Sequence, residues 1–285
     1  MIDTHAHLNL KAFQKDYKRV IGQSLDHGVT AIINVGVNFE TSKRACEIAR
    51  EFESASWRKE IKIFSTIGLH PSEINQEIFQ PKKYLELAKK YPSVIKAVGE
   101  TGLDYSRPVR NSEGSQREIS NGVHLKNEED RKKQKQVFRE HLQLARELNL
   151  PLVLHCRGEA QATEKPYFEI LEILDNFKEI TGVIHSFAVS WEVAEKFLDL
   201  GFYFGLNGII TFPNFQYREM VKKMPLQKIL LETDCPYLAP QAVRGTRNEP
   251  KNLFYIASEI AKIKGEPLTK IIKATDQNAQ KFFNL

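Results

Sequence analysis

Two histidines stand one residue apart near the start of the chain, in His5-Ala6-His7. Side chains along a strand alternate between its faces, so these two point the same way. Two neutral imidazoles on one face can chelate one cation. Asp3 shares their parity and belongs just beneath them. One such pair also arises by chance in a chain with eight histidines. Four more residues of ligating type stand at the ends of apolar runs. Glu100 follows Val98-Gly99, His155 closes Leu152-Val153-Leu154, His185 closes Gly182-Val183-Ile184, and Asp234 follows Leu230-Leu231-Glu232-Thr233. If the runs are strands whose ends converge, six nitrogen and oxygen donors meet. That set suits two divalent cations, which activate water and clamp the oxygens of a phosphoryl displacement.

The positioning elements follow from periodicity. Strand-length apolar runs occur at Ile2–His5, Thr30–Val35, Ile61–Ile67, Val94–Gly99, Leu152–His155, Gly182–His185, Phe202–Gly205 and Ile229–Glu232. Helical patterns fill the gaps at Asp16–His27, Thr41–Phe52, Pro81–Tyr91, Glu129–Leu148, Tyr167–Asn176, Ser190–Leu200 and Phe215–Lys223. Two more, Leu253–Lys264 and Leu268–Phe283, end the chain. This alternation predicts an α/β protein, a (β/α)8 TIM barrel, whose strand ends meet on one catalytic face. The 285 residues suit one such domain over 1–285. An open doubly wound sheet competes, but no Gly-rich phosphate fingerprint follows an early strand. Ser106 to Asn127 breaks the rhythm and reads as a loop insertion after the fourth strand. Its Arg107, Arg110, Arg117 and Lys126 outnumber Glu113 and Glu118, so a basic lid touching a nucleic-acid backbone is expected.

Hydrophobic residues at 41% and charged residues at 27% allow a large core inside a solvated surface. No run approaches the roughly 20 apolar residues that span a bilayer, and Met1 runs straight into a strand-like segment rather than a leader. Cys46, Cys156 and Cys235 are scattered and odd in number, which points to reduced thiols and a cytoplasmic protein. The net charge of +5 is compatible with an anionic substrate and does not require one.

The ordered motifs resemble those of the TatD family of metal-dependent deoxyribonucleases, within the amidohydrolase superfamily. They are Asp3-Thr4-His5-Ala6-His7-Leu8, Gly68-Leu69-His70-Pro71, Gly99-Glu100-Thr101-Gly102-Leu103-Asp104, Leu150-Pro151-Leu152-Val153-Leu154-His155-Cys156-Arg157, His185-Ser186-Phe187 and Glu232-Thr233-Asp234-Cys235-Pro236-Tyr237. Arg244 to Pro250 and Asn278-Ala279 also fit. The resemblance implies that His5, His7 and Asp234 bind a first metal, that His155 and His185 bind a second, and that Glu100 bridges both. It implies that Asp234 orients the attacking water and takes its proton. His70 looks like the family's non-ligand histidine, donating to a phosphate oxygen or the leaving group. Many superfamily relatives use a carbamylated lysine as bridge. Lys96 shares the parity of Glu100 but lies about 13 Å earlier along a strand, near the bottom of the barrel. Zn, Mn, Mg, Fe or Ni would suit such ligands.

Arg157, Arg244 and Arg247 are candidate phosphate contacts, since guanidinium grips phosphate in a fork. Arg157 has the parity of His155. Glu232 has that of Asp234 and could orient a ligating histidine. Cys156 and Cys235 adjoin inward-facing residues and should point away. Phe187, Tyr105 and Tyr237 could stack on bases, with core packing the expectation for each. Relatives commonly have Gly where Val189 stands, so the loop after His185 is expected to differ. The resemblance implies a DNA phosphodiesterase, trimming single strands from the 3′ end, with a monomer expected. An alternative on the same site is a D-aminoacyl-tRNA deacylase. A third is a non-catalytic nucleic-acid-binding scaffold, which predicts a broken ligand set.

Overall fold

The computed structural model describes residues 1–54, 60–106, 128–159 and 163–285. Eight strands lie side by side in chain order, each parallel to the next. They are β1 (Ile2–Ala6), β2 (Ala31–Asn34), β3 (Lys62–Ile67), β4 (Ile95–Asp104), β5 (Leu152–Arg157), β6 (Gly182–Ile184), β7 (Tyr203–Leu206) and β8 (Ile229–Leu231). The helices packed outside are α1 (Tyr17–Asp26), α2 (Phe39–Ser54), α3 (Pro81–Lys90), α4 (Glu128–Leu148), α5 (Lys165–Leu174), α6 (Trp191–Asp199), α7 (Arg218–Lys223), α8 (Leu253–Lys264) and α9 (Leu268–Phe283). This is the expected (β/α)8 barrel. Local chemistry sets several boundaries. Pro81 opens α3, where its missing N–H costs nothing. The Ser190 side chain caps α6 by accepting from Val193 N at 3.5 Å. Gly265 ends α8 at a φ of +66°, a left-handed cap that glycine adopts freely.

The apolar residues form two bodies, as two faces of a closed sheet require. The larger lies between strands and helices. The smaller collects Ile33, Ala97, Val153, Val183, Tyr203 and Leu230 from inside the barrel, together with Ala279, Phe282 and Phe283 of α9. The last helix therefore plugs the end opposite the strand termini.

The seam between β1 and β8 is closed by a few bonds. Asp234 N donates to His5 O at 2.8 Å, and His7 N donates to Cys235 O at 2.9 Å. Asp3, fully buried, accepts from Thr233 N at 2.9 Å and Thr233 Oγ1 at 2.6 Å. At the plugged end, Ile2 N donates to Asp276 Oδ1 at 2.8 Å, and Asn278 Nδ2 donates to Ile229 O at 2.8 Å. The bonds that close the barrel thus also fix three ligand-type residues relative to one another.

Two expectations about strands change. β4 runs on to Asp104, so Glu100 lies within it rather than after it. Pairing with β5 shifts register between Val98 and Thr101, and pairing with β3 shifts between Ser65 and Thr66. Simple alternation from Lys96 to Glu100 therefore does not hold. Lys96 donates to Asn284 O at 3.1 Å and sits 5.1 Å over the Phe64 ring, at the plugged end as expected. Apart from Ser106, the 106–127 insertion and its basic residues fall outside the described residues.

Candidate metal centre

All six ligand-type residues converge at the C-terminal strand ends. His5 and His7 bring their Nε2 atoms within 3.1 Å of each other. His155 Nδ1 and His185 Nε2 lie 3.3 Å apart. Glu100 stands between the pairs and divides its carboxylate. Its Oε2 is 3.4 Å from His5 Nε2 and 3.8 Å from His7 Nε2. Its Oε1 is 3.0 Å from both His155 Nδ1 and His185 Nε2. Asp234 Oδ1 sits with the first pair, 3.4 Å from His7 Nε2 and 3.8 Å from His5 Nε2. The His5 and His185 rings stack at 4.0 Å, which ties the two halves together.

Hydrogen bonds on the far side of two rings decide which nitrogens remain. Val35 O lies 3.0 Å from His7 Nδ1. A carbonyl only accepts, so Nδ1 carries the hydrogen and Nε2 turns its lone pair inward. Asp104 Oδ2 lies 2.9 Å from His155 Nε2, which likewise leaves Nδ1 facing Glu100. In the neutral rings these lone pairs meet each other and the carboxylate oxygens, an arrangement that a cation among them satisfies. Six N and O donors around two centres fit divalent cations of the zinc or manganese kind. Among the described residues, four groups of ligand-type atoms are close enough to share an ion: His5, His7 and Glu100; Glu100, His155 and His185; His5, His185 and Asp234; and His70, Asp104 and His155.

Burial and mutual charge set the protonation states. Burial works against the Glu100 carboxylate, but the surrounding histidines, His185 foremost, hold it well below the usual range. Burial also opposes charge on His155, and the Asp104 carboxylate reverses it, raising that ring. Asp234 is held low in the same way by its bond to His7. Asp3 goes the other way: burial raises it to about 7. Its carboxylate reaches Thr233 and the His5 backbone at 3.3 Å, rather than an imidazole ring.

His70 lies at the edge, with Nε2 3.6 Å from Glu100 Oε1. Ser72 N donates to His70 Nδ1 at 3.0 Å, so the neutral ring carries its hydrogen on Nε2, facing the site. Burial, with His155 next to it, pushes this ring down to about 3. A neutral N–H donor is what the non-ligand expectation requires. Glu232 Oε1 stands 3.4 Å from His185 Nδ1 and accepts from Ser186 N at 2.7 Å and Asn207 Nδ2 at 3.2 Å. A Cβ on Gly205 would come within 2.0 Å of the Glu232 carboxylate, so the missing side chain makes room for it. Asp234 has a φ of +56°. That left-handed conformation is uncommon outside glycine, and aspartate is among the side chains that tolerate it best.

Several supporting residues escaped the sequence reading. Asp104 is the foremost: it orients His155 and accepts from Ser106 N at 2.8 Å. Its place at the end of a strand, inside a recognised motif, was the available signal. The Gln134 amide grips the Asp104 backbone at both ends, at 2.9 Å each. Asn248 Nδ2 ties Thr233 O at 2.8 Å to Tyr237 O at 2.7 Å. Neither has a signal in periodicity.

The arginines separate. Arg157 is exposed at the end of β5. Arg244 is exposed and lies 4.6 Å over the Phe212 ring. Arg247 is not brought into the site. Its guanidinium holds both oxygens of Asp16, at 3.0 and 2.7 Å, with Glu249 at 2.8 Å and Ala12 O at 2.6 Å. Phe187 and Tyr105 are buried, as core packing predicts, but Tyr237 is 46% exposed with its ring 6.2 Å from His7. Cys156 and Cys235 are buried free thiols. Val189 is buried in the core, and the positive φ of that loop, 53°, falls on Ser186 instead. The loop therefore accommodates the valine without strain at its position.

No helix among the described residues is long and apolar enough to cross a membrane. The profile of the family described as TatD related DNase matches residues 2–284. The chain is 32% identical over 288 residues to an uncharacterized metal-dependent hydrolase, YabD, of Bacillus subtilis, covering 100% of this chain and 99% of that protein. It is 29% identical over 293 residues to the 3′-5′ ssDNA/RNA exonuclease TatD of Escherichia coli, covering 100% and 99%. Among solved structures it is similar to YJJV, a TatD homolog of Escherichia coli, with a TM-score of 0.81, 25% identity, and coverage of 100% and 98%. The chain thus belongs to the TatD-related DNase family of metal-dependent hydrolases.

Proposed function

We propose that this chain is a two-metal phosphodiesterase that removes nucleotides from the 3′ end of single-stranded DNA, acting as a cytoplasmic monomer. The observation that carries the metal chemistry is the divided Glu100 carboxylate, one oxygen to each histidine pair. His5, His7 and Asp234 would hold one ion, His155 and His185 the other, and Glu100 both. When bound, such ions supply Lewis acidity toward a phosphoryl oxygen and make water acidic enough to react near neutral pH. The remaining work falls to the chain. Asp234, ionised and at the mouth, takes the proton of the attacking water. His70 donates its Nε2 hydrogen to a phosphate oxygen or the departing oxygen. Arg157 holds a neighbouring phosphate, and Tyr237 offers a ring face to a base. DNA as substrate is supported by relatives named as 3′-5′ ssDNA/RNA exonucleases.

The test is a hydrolysis assay of metal-loaded protein on 3′- and 5′-labelled single-stranded DNA, with duplex DNA and a D-aminoacyl-tRNA in parallel. Release from the 3′ end is expected, with Glu100→Ala lowering kcat/KM by roughly 10³-fold or more. Deacylation of the tRNA without DNA cleavage would transfer the site to the ester substrate. Full activity in Glu100→Ala would end the bridged mechanism.

A further inference from the structure

A cleft of about 220 Å³ lies among the loops that follow β6 and β7, at the same end of the barrel as the metal centre. Its lining is mostly aromatic and amide, from Phe212, Asn214, Phe215, Gln216 and Tyr217, with the aliphatic Ile209. Ala188, also in its wall, stands three residues past His185. Asn207, just before the 3-10 turn Gly208–Thr211, bonds the Glu232 carboxylate that flanks His185. The cleft is therefore built on the same supports as the second half of the metal centre. Phe215 is buried, and its ring meets Tyr217 edge-on at 6.0 Å. Asn214 and Gln216 are exposed at the opening. Arg244, from the loop after β8, rests on the Phe212 ring.

We propose that this cleft is a nucleobase subsite and that Arg244 holds the adjoining phosphate, an inference that rests on the phosphodiesterase reading. Pockets that enclose a drug-sized ligand run to about 300–1,000 Å³, so this one suits a single flat heterocycle. Aromatic walls stack on any base, the two amides meet donors and acceptors on a base edge, and a guanidinium at the rim neutralises the linked phosphate. A purely apolar ligand such as an acyl chain would use the apolar wall but leave both amides and the cation without partners.

The test uses the full chain with metal bound, carrying His70→Ala to slow cleavage without removing a proposed metal ligand. Binding is measured for single-stranded ten-nucleotide thymidine DNA and for a ten-unit abasic strand of equal charge. Phe212→Ala should weaken binding of the thymidine strand roughly 5- to 150-fold more than that of the abasic strand, which loses only what the loosened Arg244 supplied. Phe212→Leu, which keeps the apolar bulk, should do the same and exclude a folding defect. Arg244→Ala should weaken both strands alike and reduce the salt slope by about 0.7, one phosphate on a single strand. An equal effect of Phe212→Ala on both strands, or none, overturns the subsite. Wild-type cleavage of the thymidine strand in that case leaves the phosphodiesterase standing. Base-dependent binding with no wild-type cleavage under any divalent ion keeps the subsite and overturns the phosphodiesterase.

Discussion

At the scale of single residues, the site is a set of donors whose direction is fixed from behind. His155 illustrates the point. Its Nδ1 faces Glu100 because Asp104 engages Nε2 at 2.9 Å, and Asp104 is itself fixed by Ser106 and Gln134. Carboxylates behind ligating histidines set the tautomer and raise ligand basicity, and their loss costs about 10–100-fold in metal affinity. Asp104→Ala should therefore weaken binding of one of the two ions by that factor, read by metal titration, with the other unchanged. Affinities for both ions unchanged from the wild type would deny Asp104 its orienting part. His70 makes a contrasting case. A neutral donor that does not ligate should be dispensable for metal content and needed for turnover. His70→Ala is expected to lower kcat about 10²-fold at unchanged metal stoichiometry; loss of an ion in this variant would make it a ligand. The six converging residues were legible in sequence because type and position at a strand end are local properties. The supporting parts of Asp104 and Asn248 were not, because each acts by a contact to a partner distant in sequence that no periodicity encodes.

At the scale of elements, the strands and helices matched their apolar periods closely, and α8 and α9 matched end to end. The departures share a cause. β4 carries a register shift and Gly102 at a φ of +137° where a Cβ would strike His155 O at 2.0 Å. Parity fails where a strand bulges, and bulges gather beside active sites. A second feature hidden from the sequence is how α4 holds the loop after β3. His141 is fully buried, stacked on Phe79 at 3.8 Å. Its Nδ1 faces Val137 O at 2.8 Å and so donates, while Nε2 accepts from Leu69 N at 2.9 Å. The ring must be neutral for this, and burial drives it down to about 3. The unfolded chain protonates it near 6.5. The unfolded state thus binds the extra proton between those values, so this contribution is complete above about pH 6.5 and is lost as pH falls toward 3. His141→Gln keeps an acceptor for Leu69 N–H without titrating. Its unfolding free energy should fall less steeply below pH 6.5 than that of the wild type, by up to about 1.4 kcal/mol per pH unit. Parallel curves for the two proteins would remove His141 as the cause.

At the scale of the whole molecule, the barrel separates chemistry from stability along its axis. One end gathers buried imidazoles and carboxylates whose loss of hydration opposes folding and is offset in part by their attraction for one another. The other end is apolar and is sealed by α9, with Phe283 1% exposed, Phe282 4.9 Å from the Tyr203 ring, and the two phenylalanines 4.6 Å apart. Periodicity identified α9 as a helix but not as the plug, since an amphipathic stripe does not say which surface it covers. Removing a buried phenylalanine ring costs about 3–5 kcal/mol. In a chain of this length each kcal/mol moves the midpoint by roughly 2–4 °C, so Phe283→Ala should melt roughly 6–20 °C lower. The metal ligands rest on the opposite strand ends and on the β1–β8 bonds near them. The variant should therefore bind metal and turn over like the wild type at temperatures where it is folded. Thermal melts paired with metal stoichiometry and kcat at 25 °C test both halves. A lowered midpoint with unchanged kcat is the expected pair. An unchanged midpoint would show that α9 does not seal the core, and a lost metal ion at 25 °C would show that the two ends are mechanically coupled.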